Sequence, residues 1–133
     1  MTEIESKKVS VAAPREAVYN FLCDMNNIEK LLPAGKYSDW KSDTQSCSFK
    51  IQGAYTIVLN FVSATPHGEV RYASGDGSPF SFSLTSFLNE EGGSTSGFMK
   101  CEADINPFLK MVVQGPLKNL FDYMAEKLTQ QGW

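Results

Sequence analysis

ADINPFLKMVVQGPLKNLFDYMAEKL, residues 103–128, holds the change from strand to helix on which the fold depends. Asn106-Pro107 ends an alternating run and opens the longest helical pattern in the chain, Pro107 to Gln131. A proline suits the first helical turn, where its missing N–H has no bond to lose. At about 100° per residue, Val113, Leu117, Leu120, Phe121, Met124 and Leu128 fall on one stripe roughly 100° wide, which predicts a buried face. Phe108, Met111 and Val112 project to the opposite side, so the segment ahead of Gly115-Pro116 is apolar nearly all round. Burial against the first helices is the expected fate of Phe108 to Val113, with an exposed docking patch or lid as the alternative. Pro116 has no N–H for the Val112 carbonyl and Gly115 adds a weak point, which predicts a kink or an interruption at this pair.

Upstream of Asn106 the period shortens from helix to strand. In the run from Thr95 to Ile105, Met99, Cys101, Ala103 and Ile105 share one face, and Phe98, Lys100, Glu102 and Asp104 share the other. The first set is expected to face the core, because the inverted register would bury unpaired charges. Five more alternating runs precede it: Tyr37 to Lys41; Cys47, Phe49 and Ile51; Tyr55, Ile57, Leu59 and Phe61; Val70 and Tyr72; and Phe80, Phe82 and Leu84. The clusters SDTQS, Gln52-Gly53, TPHG, GDGSP and NEEGGS part them as hairpin turns. EIESKKVSVA, residues 3–12, adds a strand carrying Ile4, Val9 and Val11, which brings the expected number to seven. Pro14 then opens a short helix to about residue 23, with Val18, Phe21, Leu22 and Met25 at helical spacing. Asp24 to Asn27 supply capping chemistry for a second short helix of Ile28, Leu31 and Leu32, which Pro33 and Gly35 stop.

The order is therefore β, αα, six strands and a long α, an α+β chain of 133 residues expected to form one domain. A net charge of −3 without basic clusters argues against a nucleic-acid partner, and Lys7-Lys8 read as two solvated lysines. Cys23, Cys47 and Cys101 are too few and too far apart for a disulfide framework or a zinc site, and are expected to be reduced core residues. No stretch approaches the roughly 20 apolar residues of a membrane span, and MTEIESKK lacks a secretory apolar run, so a cytoplasmic address is expected.

A sheet this wide has one long helix to bury its apolar face, and one helix cannot cover it. The sheet must curl, and side chains, a ligand or both must fill the space beneath the helix. Candidate lining residues from the sheet are Phe49, Ile51, Tyr55, Ile57, Leu59, Tyr72, Phe82, Leu84, Met99 and Cys101. From the helix they are Val113, Leu117, Leu120, Phe121 and Met124. Phe61 and Phe80 add aromatic surface to the sheet face, and methionines adapt to irregular guests.

Three stretches carry a resemblance to the START-like, or SRPBCC, superfamily, which includes the Bet v 1-type and the polyketide cyclase/dehydrase-like proteins. VSVAAPREAVYNFLCDMNNIEKLLP resembles its opening strand and paired helices, CSFKIQG its central hairpin, and residues 103–128 its closing strand and helix. The resemblance spans nearly the whole chain. It implies a helix-grip fold, a curved seven-stranded antiparallel sheet around the C-terminal helix, with lipids, sterols or polyketides as guests in different branches.

Chemistry is sparse. His67, the only histidine, sits in the turn TPHG and reads as a solvated loop residue. No Cys-His or Ser-His-Asp arrangement and no metal-ligand spacing can be assembled, so neither a metal nor a cofactor is expected. GDGSP is a hairpin turn rather than a phosphate loop, since no helix follows it. Tyr55 and Tyr72 are the polar candidates on the apolar wall, each weighed against a packed core tyrosine. Trp40 reads as a core or rim residue and Trp133 as part of a frayed tail. The function expected is binding or carriage of an apolar small molecule without catalysis. A cyclase/dehydrase-type enzyme and a protein-interaction module stand as alternatives.

Overall fold

The computed structural model describes residues 2–51 and 55–133. Its strands are β1 (Thr2–Glu5), β2 (Val9–Val11), β3 (Tyr37–Ser42), β4 (Ser46–Ile51), β5 (Tyr55–Thr65), β6 (Glu69–Ser74), β7 (Ser81–Glu91) and β8 (Ser94–Asp104). Helix α1 (Arg15–Cys23) and a 3₁₀ helix (Met25–Leu31) follow β2, and α2 (Pro107–Leu128) follows β8. The strands form one antiparallel sheet in the order β1-β8-β7-β6-β5-β4-β3, with β2 also paired to β8. This is the expected α+β architecture, with the seven-strand path as read. The eighth strand arises because the predicted strand over residues 3–12 is broken. The Gln52-Gly53 turn expected between β4 and β5 lies outside the described residues.

That break follows from side-chain parity. Ile4 and Val9 are an odd number of residues apart, so an unbroken strand would turn them to opposite faces. The register against β8 slips by one residue between Glu5↔Lys100 and Val9↔Gly97, and both side chains then pack on the core. Ser6 bridges the slip. Its N–H donates to the Met99 carbonyl at 2.8 Å, and its Oγ accepts from the Met99 N–H at 2.8 Å. Two further bulges repeat the device. One surrounds Asp39 (φ 54°) and lets Tyr37 and Trp40 both meet the core. The other falls at Val62 and does the same for Phe61 and Ala64. Elsewhere alternation suffices: Met99, Cys101 and Ala103 are buried, as the parity of β8 predicts. Gly92 and Gly93 close the β7–β8 hairpin at φ 58° and 90°, the positive values a two-residue turn demands.

Helix α1 buries Val18 and Leu22, and the 3₁₀ helix buries Met25, Ile28 and Leu31. Pro14 stands just ahead of α1 in an extended conformation rather than inside its first turn. Asp24 caps the 3₁₀ helix by accepting from the Asn26 N–H at 3.0 Å. At the other end of the chain, Asn106 caps α2 by accepting from the Leu109 N–H at 2.8 Å.

Helix α2 runs unbroken through Gly115-Pro116, so the expected interruption does not occur. Val113, Leu120, Phe121, Met124 and Leu128 are buried as the stripe predicts, with Ala125, while Leu117 is half-buried. The expected burial of Phe108, Met111 and Val112 is corrected, since Phe108 is 79% and Met111 85% exposed, with Val112 exposed beside them. The reason lies in placement: α1 packs on β6, β7 and β8, whereas α2 meets β1, β2, β8 and the 3₁₀ helix. All but one of its buried residues lie from Leu120 onward. The same half is fastened to the break in the first strand. Asp122 accepts from the Lys7 backbone N–H at 2.7 Å, and the Lys7 ammonium pairs with Glu126 at 2.6 Å. Burial pushes the Asp122 carboxyl up, but Lys118 and Lys7 together hold it below the usual range. Trp133 is also tied down, contrary to expectation: its indole N–H donates to the Leu128 carbonyl at 3.0 Å, and its ring meets Phe21 edge-on at 5.4 Å.

Candidate functional site: the space under the C-terminal helix

Between the concave face of the sheet and α2 lie two small apolar voids and one open groove. The deeper void, about 10 Å³, is walled by β4, β5, β7, β8 and the middle of α2. Ten of the predicted lining residues meet there: Phe49, Ile57, Leu59, Phe82, Leu84, Cys101, Leu117, Leu120, Phe121 and Met124. The second void, about 20 Å³, adds Ile51, Tyr55 and Val113 and shares Ile57, Leu117 and Leu120 with the first. Outside it opens a groove of about 410 Å³ beside Gly115, Pro116, Asn119 and Tyr123, with Pro33 and Lys36 across from them. Ile51, Pro116 and Leu120 line both this groove and the second void, so the three spaces follow one another from surface to interior.

Two predicted residues lie elsewhere. Met99 lines a separate void of about 10 Å³ nearer α1. Tyr72 lines none of these spaces; it is fully buried, and its phenol donates to the Leu22 carbonyl at 2.6 Å. It is a packed core tyrosine rather than a group facing a guest. Phe80, read as a sheet-face aromatic, precedes β7 and closes both voids beneath α2, with Pro79 beside it in the second. Reading its run as a strand missed that position.

The walls offer little polarity. Among the described residues, the linings of the two voids under α2 contain no carboxylate and no imidazole; their titratable side chains are Tyr55 and Cys101. Burial pushes the Cys101 thiol up to about 12, and the adjacent Glu102 charge adds to the effect. Cys47 is likewise pushed up to about 12, by burial and then by Asp43. Such thiols are poor nucleophiles near neutral pH. His67 lies in its turn away from the voids, partly exposed, with the Tyr19 ring meeting it edge-to-face at 5.0 Å. Trp40 stacks on Phe49 at 5.9 Å, consistent with a rim residue. Among the described residues no group of three or more His, Cys, Asp or Glu could hold a metal ion. No helix among them is long and apolar enough to cross a membrane.

No protein-family model matches the chain. No curated protein matches it in sequence. Solved structures do match in shape. The protein XoxI from Bacillus cereus superposes with a TM-score of 0.76 at 12% identity, over 98% of this chain and 94% of that one. A norcoclaurine synthase from Thalictrum gives 0.71 at 14%, over 97% and 94%. A START superfamily protein from Mycobacterium smegmatis gives 0.67 at 14%, over 96% and 97%. With an antiparallel sheet facing a C-terminal helix, these likenesses give the chain the START-like, Bet v 1-type helix-grip fold.

Proposed function

We propose that this protein binds and carries an apolar small molecule, of lipid, sterol or polyketide character, between its sheet and C-terminal helix. The observation that carries this reading is the run of apolar voids leading from the groove at Gly115-Pro116 to the concave face. A norcoclaurine synthase of the same fold holds a transition state analogue, which supports ligand binding by this architecture. Voids of about 10 and 20 Å³ are far below the roughly 300–1,000 Å³ of a small-molecule site, so binding requires opening. The first half of α2 is the part that yields, because it buries little besides Val113. Leu117 and Phe80 must swing with it.

Burying about ten methylenes at ~0.8 kcal/mol each offers ~8 kcal/mol, which sets micromolar affinity as the ceiling for such a guest, and the costs of opening and of immobilising it lower the affinity from there. An enzymatic use of the same space would rest on Tyr55 and a strongly protonated Cys101, so the hydrocarbon lining supports carriage over turnover. Native mass spectrometry of the purified protein, followed by displacement of an apolar fluorescent dye, tests the proposal. A bound mass or a displaceable dye is expected. Neither, across a panel of fatty acids, sterols and aromatic polyketides, overturns it.

A further inference from the structure

Ser86 lies on the concave face of β7, in line with Phe82, Leu84 and Leu88, and is 1% exposed. Its hydroxyl has no hydrogen-bond partner, which among the described residues holds for no other buried side-chain N or O atom. The polar groups around it are committed. Thr95, which lines the same void, donates from Oγ1 to the Ala13 carbonyl at 2.9 Å, and Tyr72, on the neighbouring strand β6, donates to the Leu22 carbonyl at 2.6 Å. An unpaired hydroxyl in an apolar interior is unfavourable, and alanine at this position would avoid the loss.

Ser86 also faces space. It lines the void of about 10 Å³ near α1, otherwise walled chiefly by Val11, Leu22, Leu88, Met99 and Leu128. The elements around this void continue into the one under α2: Ser86 to Leu84 on β7, Met99 to Cys101 on β8, and Ala125 to Met124 on α2. Positions two apart on a strand are separated by about 7 Å, so the voids lie end to end. Met99 and Met124 stand at the junction, and their thioether chains can rearrange around a guest.

We infer that Ser86 is the inner end of the binding path, the hydroxyl that receives the head group of a guest whose hydrocarbon chain lies under α2. The inference rests on the binding reading above and narrows its ligand class to a slender apolar chain with one small, uncharged hydrogen-bonding head, an alcohol or a carbonyl. A carboxylate head is excluded because the lining of this void contains no cation to pair with it.

The test uses the full chain and two probes of equal heavy-atom count, undecane and 1-decanol, competing against an apolar fluorescent dye. Ser86→Ala is expected to lower the preference for the alcohol over the alkane by about tenfold, the loss of one buried hydrogen bond, while alkane binding stays level or improves. Ser86→Cys, which keeps the shape at a slightly larger volume but weakens the hydrogen bond, is expected to follow Ser86→Ala, and ligand-free melting curves establish that both variants fold. If both probes displace the dye and the preference is the same in wild type and variants, the Ser86 assignment is overturned and the binding reading stands. If the wild type binds neither dye nor probe, both are overturned.

Discussion

The phenol of Tyr72, buried on β6, donates to the backbone oxygen of Leu22 in the last turn of α1 at 2.6 Å. The final carbonyls of a helix have no partner within it, so this one bond both satisfies the tyrosine and fixes where α1 ends over the sheet.

Tyr72→Phe is therefore expected to destabilise the fold by about 1–3 kcal/mol, since it strands a buried carbonyl oxygen while leaving the packing volume nearly unchanged. The urea midpoint reads the loss. Dye binding should be unaffected, because Tyr72 lines neither void under α2.

The two halves of α2 are expected to differ in hydrogen exchange. Phe108 to Gln114 buries only Val113, whereas Leu120, Phe121, Met124 and Leu128 anchor the second half, so amides before Gly115 should exchange much faster than those from Leu120 onward. Uniform protection along the helix would contradict the yielding assigned to its first half.

Two glycines should respond oppositely to alanine. A Cβ on Gly97 would stand 2.7 Å from the Phe87 carbonyl oxygen, so Gly97→Ala must part β7 from β8 at an expected cost of about 1–3 kcal/mol. A Cβ on Gly115 would meet nothing within 4 Å beyond its own helix and Pro116, so Gly115→Ala should stabilise by up to about 0.5 kcal/mol, helix propensity reduced by the crowding that a following proline imposes. Thermal melts of the two variants separate the signs.

Stability should fall in alkali. Cys47 and Cys101 titrate near 9.0 when unfolded and about 12 when folded, so their contribution is complete below pH 9 and is lost as the pH rises toward 12. Tyr72, raised by burial, acts in the same direction. Urea midpoints measured from pH 7 to 11 should decline, and less steeply in Cys47→Ala/Cys101→Ala.

Much of the fold was legible because parity and helical phase are direct consequences of burial. Met99, Cys101 and Ala103 inward, and Val113, Leu120 and Phe121 on one stripe, needed no more than counting. The bulges were also written in the chain, as odd separations between apolar residues: Ile4 to Val9, Tyr37 to Trp40 and Phe61 to Ala64. Those intervals look like weak alternation until an extra residue is allowed. The exposure of Phe108 and Met111 was not legible, since composition cannot tell which neighbours reach the start of α2. Ser86 was within reach of the same parity that selected Phe82 and Leu84, but a search confined to apolar side chains passed over a hydroxyl.

The pairing of β1 and β2 with β8 sets an order on the ribosome. Thr2 waits for Ala103 and Val11 waits for Thr95, so neither strand can find its place until β8 has been made. While they wait, Ile4 and Val11 stay open to water, and the Lys7 clasp on Asp122 and Glu126 can close only after the second half of α2 has been made.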